Sequence, residues 1–410
     1  MDRLTLAAYT RFGARGLKGI EMYYIVKELW ENGRLERVIA VSKKDCRFEF
    51  DLDLVETLPG QSRLISALGQ IKKKVWKAFP SAWLSELIFD SYAARRLPER
   101  GGNLVLTPGL IRTAQKAKTL GYTTFLYGAT PDPRYLAEQV RTEQKSFGLR
   151  AAGEDVNRAR QMARFAAHVA ISDYIIAVSE FAKETYVQYG FPAERIFVAP
   201  LGVDLQRFRT TPVPIQDPCF TYLLMAHVSG TTGILKGLPY LLQAWSELNL
   251  KNSKLQVCGE MGPEAKKLIS DYAGRLNNVE FTGYVSNPEE YYRQSAVFVL
   301  PSLAEGLPRV VLEAMACGRP VITTPILKPV LRDGVDGVYI PMRDVQALKQ
   351  KMLYFYNHRE EVARMGANAS ERARLFTWER FSQDIFQILS YEWRVKKSVP
   401  SVQLDAAANQ

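Results

Sequence analysis

Short apolar runs alternate with longer segments of helical periodicity along nearly the whole chain, and this alternation limits the fold more than any other feature. RLTLAAYT (Arg3–Thr10), RVIAVS (Arg37–Ser42), NLVLTP (Asn103–Pro108), TTFLYG (Thr123–Gly128) and DYIIAVS (Asp173–Ser179) read as strands. Helical segments lie between most of them. IEMYYIVKELWENG, for example, carries apolar residues at helical spacing and stops at Gly33. Strand–helix alternation predicts parallel sheets with helices on both faces. A second series follows the turn-rich stretch TTPVPIQDP (Thr210–Pro218), with FTYLLMAHV, KLQVCGE, VEFTGYV, AVFVLPS and RPVITTP as its strands. The fold class is therefore α/β, with two Rossmann-like doubly wound parallel-sheet domains. Ligands bind outside the carboxyl ends of the strands in such sheets, so a cleft between the domains is the expected site.

The chain has 410 residues, more than one ordinary core holds. The sequence predicts an N-terminal domain over 1–209, a linker over 210–218 and a C-terminal domain over 219–375. A C-terminal helix over 376–396 is expected to pack back on the N-terminal domain, followed by a disordered tail over 397–410. Hydrophobic residues make up 47% and charged residues 24%, which excludes a disordered chain. No apolar run approaches the roughly 20 residues of a membrane span, and MDRLTLAAYTRF lacks the long apolar stretch expected of a signal peptide. A cytoplasmic location is expected. Cys46, Cys219, Cys258 and Cys317 lie far apart without metal-type spacing, and the three histidines, His168, His227 and His358, are too few for a His-rich zinc site. No metal is expected.

The stretch from Phe298 to Pro325, FVLPSLAEGLPRVVLEAMACGRPVITTP, is the most informative. A strand ends near Pro301, a loop carries Glu305 and Gly306, and a helix starts near Pro308, where a missing N–H costs nothing. The helix closes at Gly318, and Pro320 blocks its extension. Its free N–H groups near Gly306 to Val310 make an anion site. Glu305 and Glu313 would stand about 12 Å apart along a fully helical path. That is too far for a retaining-glycosidase pair, so the two acids have different tasks. A loop acid and a solvated helix acid fit the same residues, although the apolar neighbours of Glu313 make mere solvation less comfortable.

With these residues in view, EGLPRVVLEAMACGRPVITT resembles the glutamate-x7-glutamate signature of retaining glycosyltransferase family 4, whose members have the GT-B fold. SDYIIAVSEFAKE, VAPLGVDLQRF, LKGLPYLLQAWSEL, VEFTGYVS, DGVDGVYIPMRDVQAL and FTWERF resemble further family segments in the family's order. The resemblance is strong from Asp173 to Phe381 and weak before it. It implies a nucleotide diphosphate sugar as co-substrate, with no cofactor and no metal. Lys236 would neutralise the leaving diphosphate, and Glu305 would stand beside the donor sugar. Gly237 follows the lysine. The Gly306–Leu307 backbone would meet sugar or phosphates, and Glu313 would accept hydrogen bonds from the ribose hydroxyls. The backbone at Tyr284 and Val285 would lie near the base.

The loop Gly13-Ala-Arg-Gly16-Leu-Lys-Gly19 follows the first strand and precedes the first helix. Gly16 and Gly19 are candidate donor-phosphate contacts there, with a plain glycine-rich turn as the alternative. Two departures from the family pattern stand out. The family has Gly-Arg shortly before the lysine, whereas LLMAHVSGTTGILKG has His227 nearest that place, able to replace the arginine only when protonated. An N-domain histidine is also missing, since TFLYGATPDPRY has Gly128 and Ala129 there.

Net charge is +11, and the interval from Arg63 to Arg100 holds eight basic residues against three acidic ones. Within it, Lys72, Lys73, Lys74 and Lys77 interleave with Trp76, Phe79 and Trp83. Lysines beside aromatic rings suit an anionic membrane surface. A solvated lysine face on a helix that buries its aromatics fits equally well. No nucleic-acid partner is expected, because no recognition motif accompanies the charge. The expected activity is therefore sugar transfer with retention to a lipid-linked or polysaccharide acceptor at the inner membrane face. The rival from another class is a non-catalytic nucleotide-sugar-binding or assembly subunit of the same fold.

Overall fold

A computed structural model describes residues 4–12, 17–43, 52–60, 81–149, 155–212, 219–229 and 233–390. The chain divides into two compact units. The first comprises Met1–Arg134, Ala151–Pro200 and Glu379–Gln410, and the second Tyr135–Arg150 and Leu201–Trp378.

The first unit contains strands β1 (Leu4–Phe12), β2 (Leu35–Lys43), β3 (Val55–Thr57), β4 (Asn103–Leu106), β5 (Thr123–Gly128), β6 (Tyr174–Ala177) and β7 (Ile196–Val198). They form one parallel sheet in the order β3-β2-β1-β4-β5-β6-β7. Its helices are α1 (Leu17–Glu31), α2 (Ser81–Arg96), α3 (Ile111–Thr119), α5 (Asp155–Ile171) and α6 (Glu180–Gln188). The order reverses between β1 and β4, because β2 and β3 wind one way from β1 and β4 to β7 the other. β4 is buried along its whole length, as a strand covered by helices on both faces should be. One apolar cluster includes Ile39, Phe89, Leu104, Leu106 and Ala114, and another Leu126, Val169, Ile175, Ala182 and Tyr186.

The last described helix of the chain, Trp378–Leu389, belongs almost wholly to this unit. Asn103 Nδ2 donates 2.6 Å to the Leu389 carbonyl, Ser382 Oγ donates 3.0 Å to Glu28, and the Phe381 ring meets Tyr127 edge-on.

The second unit's sheet contains β8 (Phe220–Met225), β9 (Ser253–Cys258), β10 (Val279–Gly283), β11 (Val297–Leu300), β12 (Val321–Thr323) and β13 (Gly337–Tyr339). All are parallel, in the order β10-β9-β8-β11-β12-β13. The helices α7 (Leu238–Glu247), α8 (Pro263–Tyr272), α9 (Pro288–Gln294), α10 (Arg309–Ala316), α11 (Val345–Asn357) and α12 (Arg359–Ala373) belong to it. So does most of α4 (Pro133–Ser146), although that helix lies early in the sequence. Glu143 of α4 is fully buried and takes hydrogen bonds from Tyr240 Oη at 2.7 Å and Arg343 Nε at 2.8 Å. Residues 135–150 thus group with the second unit, as do residues 201–209.

The strand order reverses between β8 and β11. A switch point of this kind is where doubly wound sheets bind ligands, outside the strands' carboxyl ends. The tail over 397–410 lies outside the described residues.

Candidate functional site

β8 ends at Met225, and the chain re-enters the described structure at a single 3-10 turn, Gly233–Lys236, before α7. β11 ends at Leu300, and the following loop carries Pro301 to Pro308 into α10. These two connections meet at the switch point. Leu303 N–H donates 2.8 Å to the Leu235 carbonyl, and Ser302 Oγ lies 2.9 Å from that carbonyl and 3.0 Å from Glu305 Oε1. Thr324 Oγ1 donates 2.5 Å to the Ser302 carbonyl from the end of β12. The loop is thereby fixed from both sides.

Lys236 Nζ forms an ion pair with Glu305 Oε1, with the lysine side chain 26% and the glutamate side chain 13% exposed. The pair spans 69 positions of sequence and joins two residues that sequence reading placed at the donor. Its partial burial gives it weight, because removing either partner leaves a poorly solvated charge. Gly237, the next residue, caps α7 in the left-handed region at φ 75°. A Cβ there would overlap the Pro301 carbonyl oxygen. Pro239 lies in the first turn of α7, where its missing N–H is harmless.

α10 starts after Pro308, which offers no side-chain cap to the helix. Apart from Val311 N–H, which donates 2.9 Å to the Pro308 carbonyl, the N–H groups of its first turn are potential anion donors just after the Gly306–Leu307 loop. Both of those loop residues are buried. Within α10, Glu313 Oε2 accepts a 2.9 Å hydrogen bond from Tyr292 Oη of α9. Burial pushes the Glu313 carboxyl above its ordinary range; Arg309, the Tyr292 hydroxyl and Arg207 pull the other way, and Glu289 adds to the rise. Arg207 is itself engaged with Glu289, through Nη2 at 2.8 Å and Nε at 3.1 Å.

The remaining expected residues divide clearly. Tyr284 and Val285 follow β10 at the carboxyl edge of the same sheet, and Tyr284 is 84% exposed. His227 is exposed just after β8, and its described partners are Ser229 Oγ at 2.5 Å and Glu260 Oε2 at 3.5 Å. It is not brought onto the Lys236–Glu305 pair. Gly19 lies inside α1, which already begins at Leu17, so it is a buried helical residue and not part of a preceding loop. Gly16 lies outside the described residues. So do Lys72, Lys73, Lys74, Trp76, Lys77 and Phe79. Trp83 is half-buried in α2, with the Arg160 guanidinium 5.6 Å from its ring centre.

At the place of the missing N-domain histidine, the Tyr186 hydroxyl occupies the space beside Gly128 and donates 3.0 Å to the Thr130 carbonyl. Sequence reading missed Tyr292, Ser302 and Arg207. The serine and the arginine lie within stretches that sequence reading singled out, FVLPS and VAPLGVDLQRF, whereas Tyr292 acts across two helices. Among the described residues, no group of three or more His, Cys, Asp or Glu could hold a metal ion, and no helix is long and apolar enough to cross a membrane.

Two parallel doubly wound sheets define the GT-B class of fold, and solved structures of that class match along nearly the whole chain. Sucrose-phosphate synthase from Thermosynechococcus elongatus matches with TM-score 0.65 at 19% identity, covering 97% of this chain and 100% of that one. HepE from Anabaena in complex with UDP matches with TM-score 0.63 at 16% identity, covering 94% and 99%. Within the class, the sequence is of the family 4 glycosyltransferase type. Residues 140–207 match the family described as Glycosyltransferase Family 4, and 225–358 match Glycosyl transferases group 1. A D-inositol 3-phosphate glycosyltransferase from Xylanimonas cellulosilytica is 30% identical, over 52% of this chain and 55% of its own. The capsular polysaccharide biosynthesis glycosyltransferase CapM from Staphylococcus aureus is 27% identical, over 52% and 58%. The chain thus spans between about half and three fifths of these two relatives' lengths.

Proposed function

We propose that this protein transfers a sugar, with retention, from a nucleoside diphosphate sugar to a glycan or lipid-linked acceptor without a metal. The observation that carries this reading is the Lys236–Glu305 ion pair at the β8/β11 switch point, beside the uncapped start of α10. A fixed ammonium and aligned N–H groups stabilise charge that develops on a leaving diphosphate. HepE, a fold neighbour, was solved with UDP and with UDP-glucose, which supports UDP as the first nucleotide to try. CapM, by its description, acts in capsular polysaccharide biosynthesis, which supports a polysaccharide or lipid-linked acceptor.

In the proposed step the bond from the anomeric carbon to the β-phosphate oxygen breaks. The acceptor oxygen bonds to the same face, and its proton passes to the leaving phosphate oxygen. Lys236 meets the developing diphosphate charge, Glu305 aims the lysine and lines the sugar side, and Glu313 receives the ribose hydroxyls. No protein nucleophile is required.

Donor consumption by the purified protein, with and without EDTA, tests this. Turnover of a nucleotide sugar that EDTA leaves intact is expected; strong loss in EDTA restored by magnesium overturns metal independence. A second reading, a non-catalytic nucleotide-sugar-binding subunit, draws on His227, which is engaged with Ser229 and Glu260 where the family has a phosphate-binding arginine. Tight nucleotide binding with no transfer to any acceptor would favour it.

The basic aromatic stretch from Lys72 to Trp83 supports attachment to an anionic membrane face. Sedimentation with anionic vesicles should fall when Lys72, Lys73, Lys74 and Lys77 become Gln. Wild type that ignores such vesicles at low salt removes the claim.

A further inference from the structure

The hydrogen bond to the Glu313 carboxylate comes from outside its own helix. Among the described residues, the hydroxyl that bonds it is that of Tyr292 on α9, a residue fully buried and packed between rings. The Tyr292 ring lies 5.9 Å from Phe208 at 77° and 5.8 Å from Phe298 at 53°. With the ring edge-on to Phe208 and tilted against Phe298, its hydroxyl donates to Glu313 Oε2. A buried tyrosine hydroxyl needs an acceptor, and a carboxylate offers about four lone-pair positions. One bond to Oε2 orients the group and leaves Oε1 without a protein partner among the described residues.

We propose that Tyr292 is a positioning residue for nucleotide recognition: it fixes the plane of the Glu313 carboxylate so that the free oxygen accepts the ribose hydroxyls. The proposal rests on the reading of Glu313 as the ribose acceptor. The surrounding charges suit this task. Glu289, one turn before Tyr292, would repel the Glu313 carboxylate, but Arg207 clamps it through two nitrogens. Arg309, one turn before Glu313 on α10, and Cys317, one turn after it, complete the groups whose charge Glu313 feels or affects. Against the burial that raises the Glu313 carboxyl, the Tyr292 hydroxyl and Arg309 favour the ionised form that accepts hydrogen bonds.

The test compares UDP with 2′,3′-dideoxy-UDP by calorimetry on wild type and Tyr292→Phe, which removes a single oxygen and keeps the ring packing. Wild type should prefer UDP. The variant should lose roughly fivefold to tenfold in UDP affinity and stay within about twofold for the dideoxy analogue. Its acid limb for UDP binding should move to higher pH, because a donor to the carboxylate is gone. Incorporating 3-fluorotyrosine at position 292 keeps the shape and strengthens the donor, so the acid limb should move to lower pH. This second measurement stands even if the phenylalanine variant fails to fold. A wild type indifferent to the ribose hydroxyls overturns the ribose reading of Glu313, and the proposal with it. A wild type that prefers UDP, with variants that keep the same preference and the same acid limb, overturns the role of Tyr292 alone.

Discussion

Gly237 lies against Pro301 so closely that a Cβ on the glycine would overlap the proline's carbonyl oxygen. The contact sets how near the lysine turn after β8 comes to the glutamate loop after β11. Gly237 also sits at φ 75°, where an L side chain is strained.

Gly237→Ala should therefore destabilise the second unit by about 1–3 kcal/mol from backbone strain, with the overlap adding to it. It should also loosen the Lys236–Glu305 pair that the contact brings together. Urea unfolding of the variant measures the first effect and nucleotide affinity the second. An unchanged midpoint with unchanged affinity would mean that the backbone shifts freely here.

Glu305 and Glu313 should separate when each is changed to Gln. Glu313→Gln should mainly weaken nucleotide affinity, since an amide accepts with one oxygen where a carboxylate accepts with two. Glu305→Gln breaks the ion pair with Lys236 and should lower turnover by more than it lowers nucleoside diphosphate affinity. Matching losses in both parameters for both variants would refute the division.

Acid should unfold the protein partly through His168. The ring is fully buried in α5, both nitrogens lack a hydrogen-bond partner among the described residues, and burial, helped by Arg164, pushes its pKa down from 6.5 to about 3. A depressed histidine pKa means the folded state holds the neutral ring. The stability this contributes is complete above 6.5 and is lost as pH falls from there towards about 3. The slope from this one group is up to about 1.4 kcal/mol per pH unit. His168→Leu should flatten the stability–pH curve across that window. A curve as steep as that of wild type would show that other groups govern acid unfolding.

The two sheets were legible because their central strands, such as LLM in β8 and VFVL in β11, are apolar runs buried on both faces. Four strands, β3, β7, β12 and β13, have three residues each, too short for periodicity to register; only β12 was legible, within the apolar run of RPVITTP. The membership of α4 in the second unit was equally hidden. It depends on Glu143 meeting Tyr240 and Arg343, partners 97 and 200 positions away. In the site, Lys236, Glu305 and Glu313 were read through motif resemblance, and the structure joins the first two directly. Tyr292 left no local signal, because its role exists only once α9 packs beside α10. His227 was singled out for proximity in sequence, and three-dimensional packing gives it other partners.

The measurement closest to the central claim is the affinity of UDP for wild type and for Lys236→Ala, with thermal unfolding run alongside. If Lys236 at the β8/β11 switch point neutralises the diphosphate, the variant should stay folded and bind UDP at least about tenfold more weakly, as expected for losing a charge-assisted contact. The loss should shrink when uridine replaces UDP, because the nucleoside has no diphosphate for the lysine to meet. Equal UDP affinity in a folded Lys236→Ala variant would contradict the account.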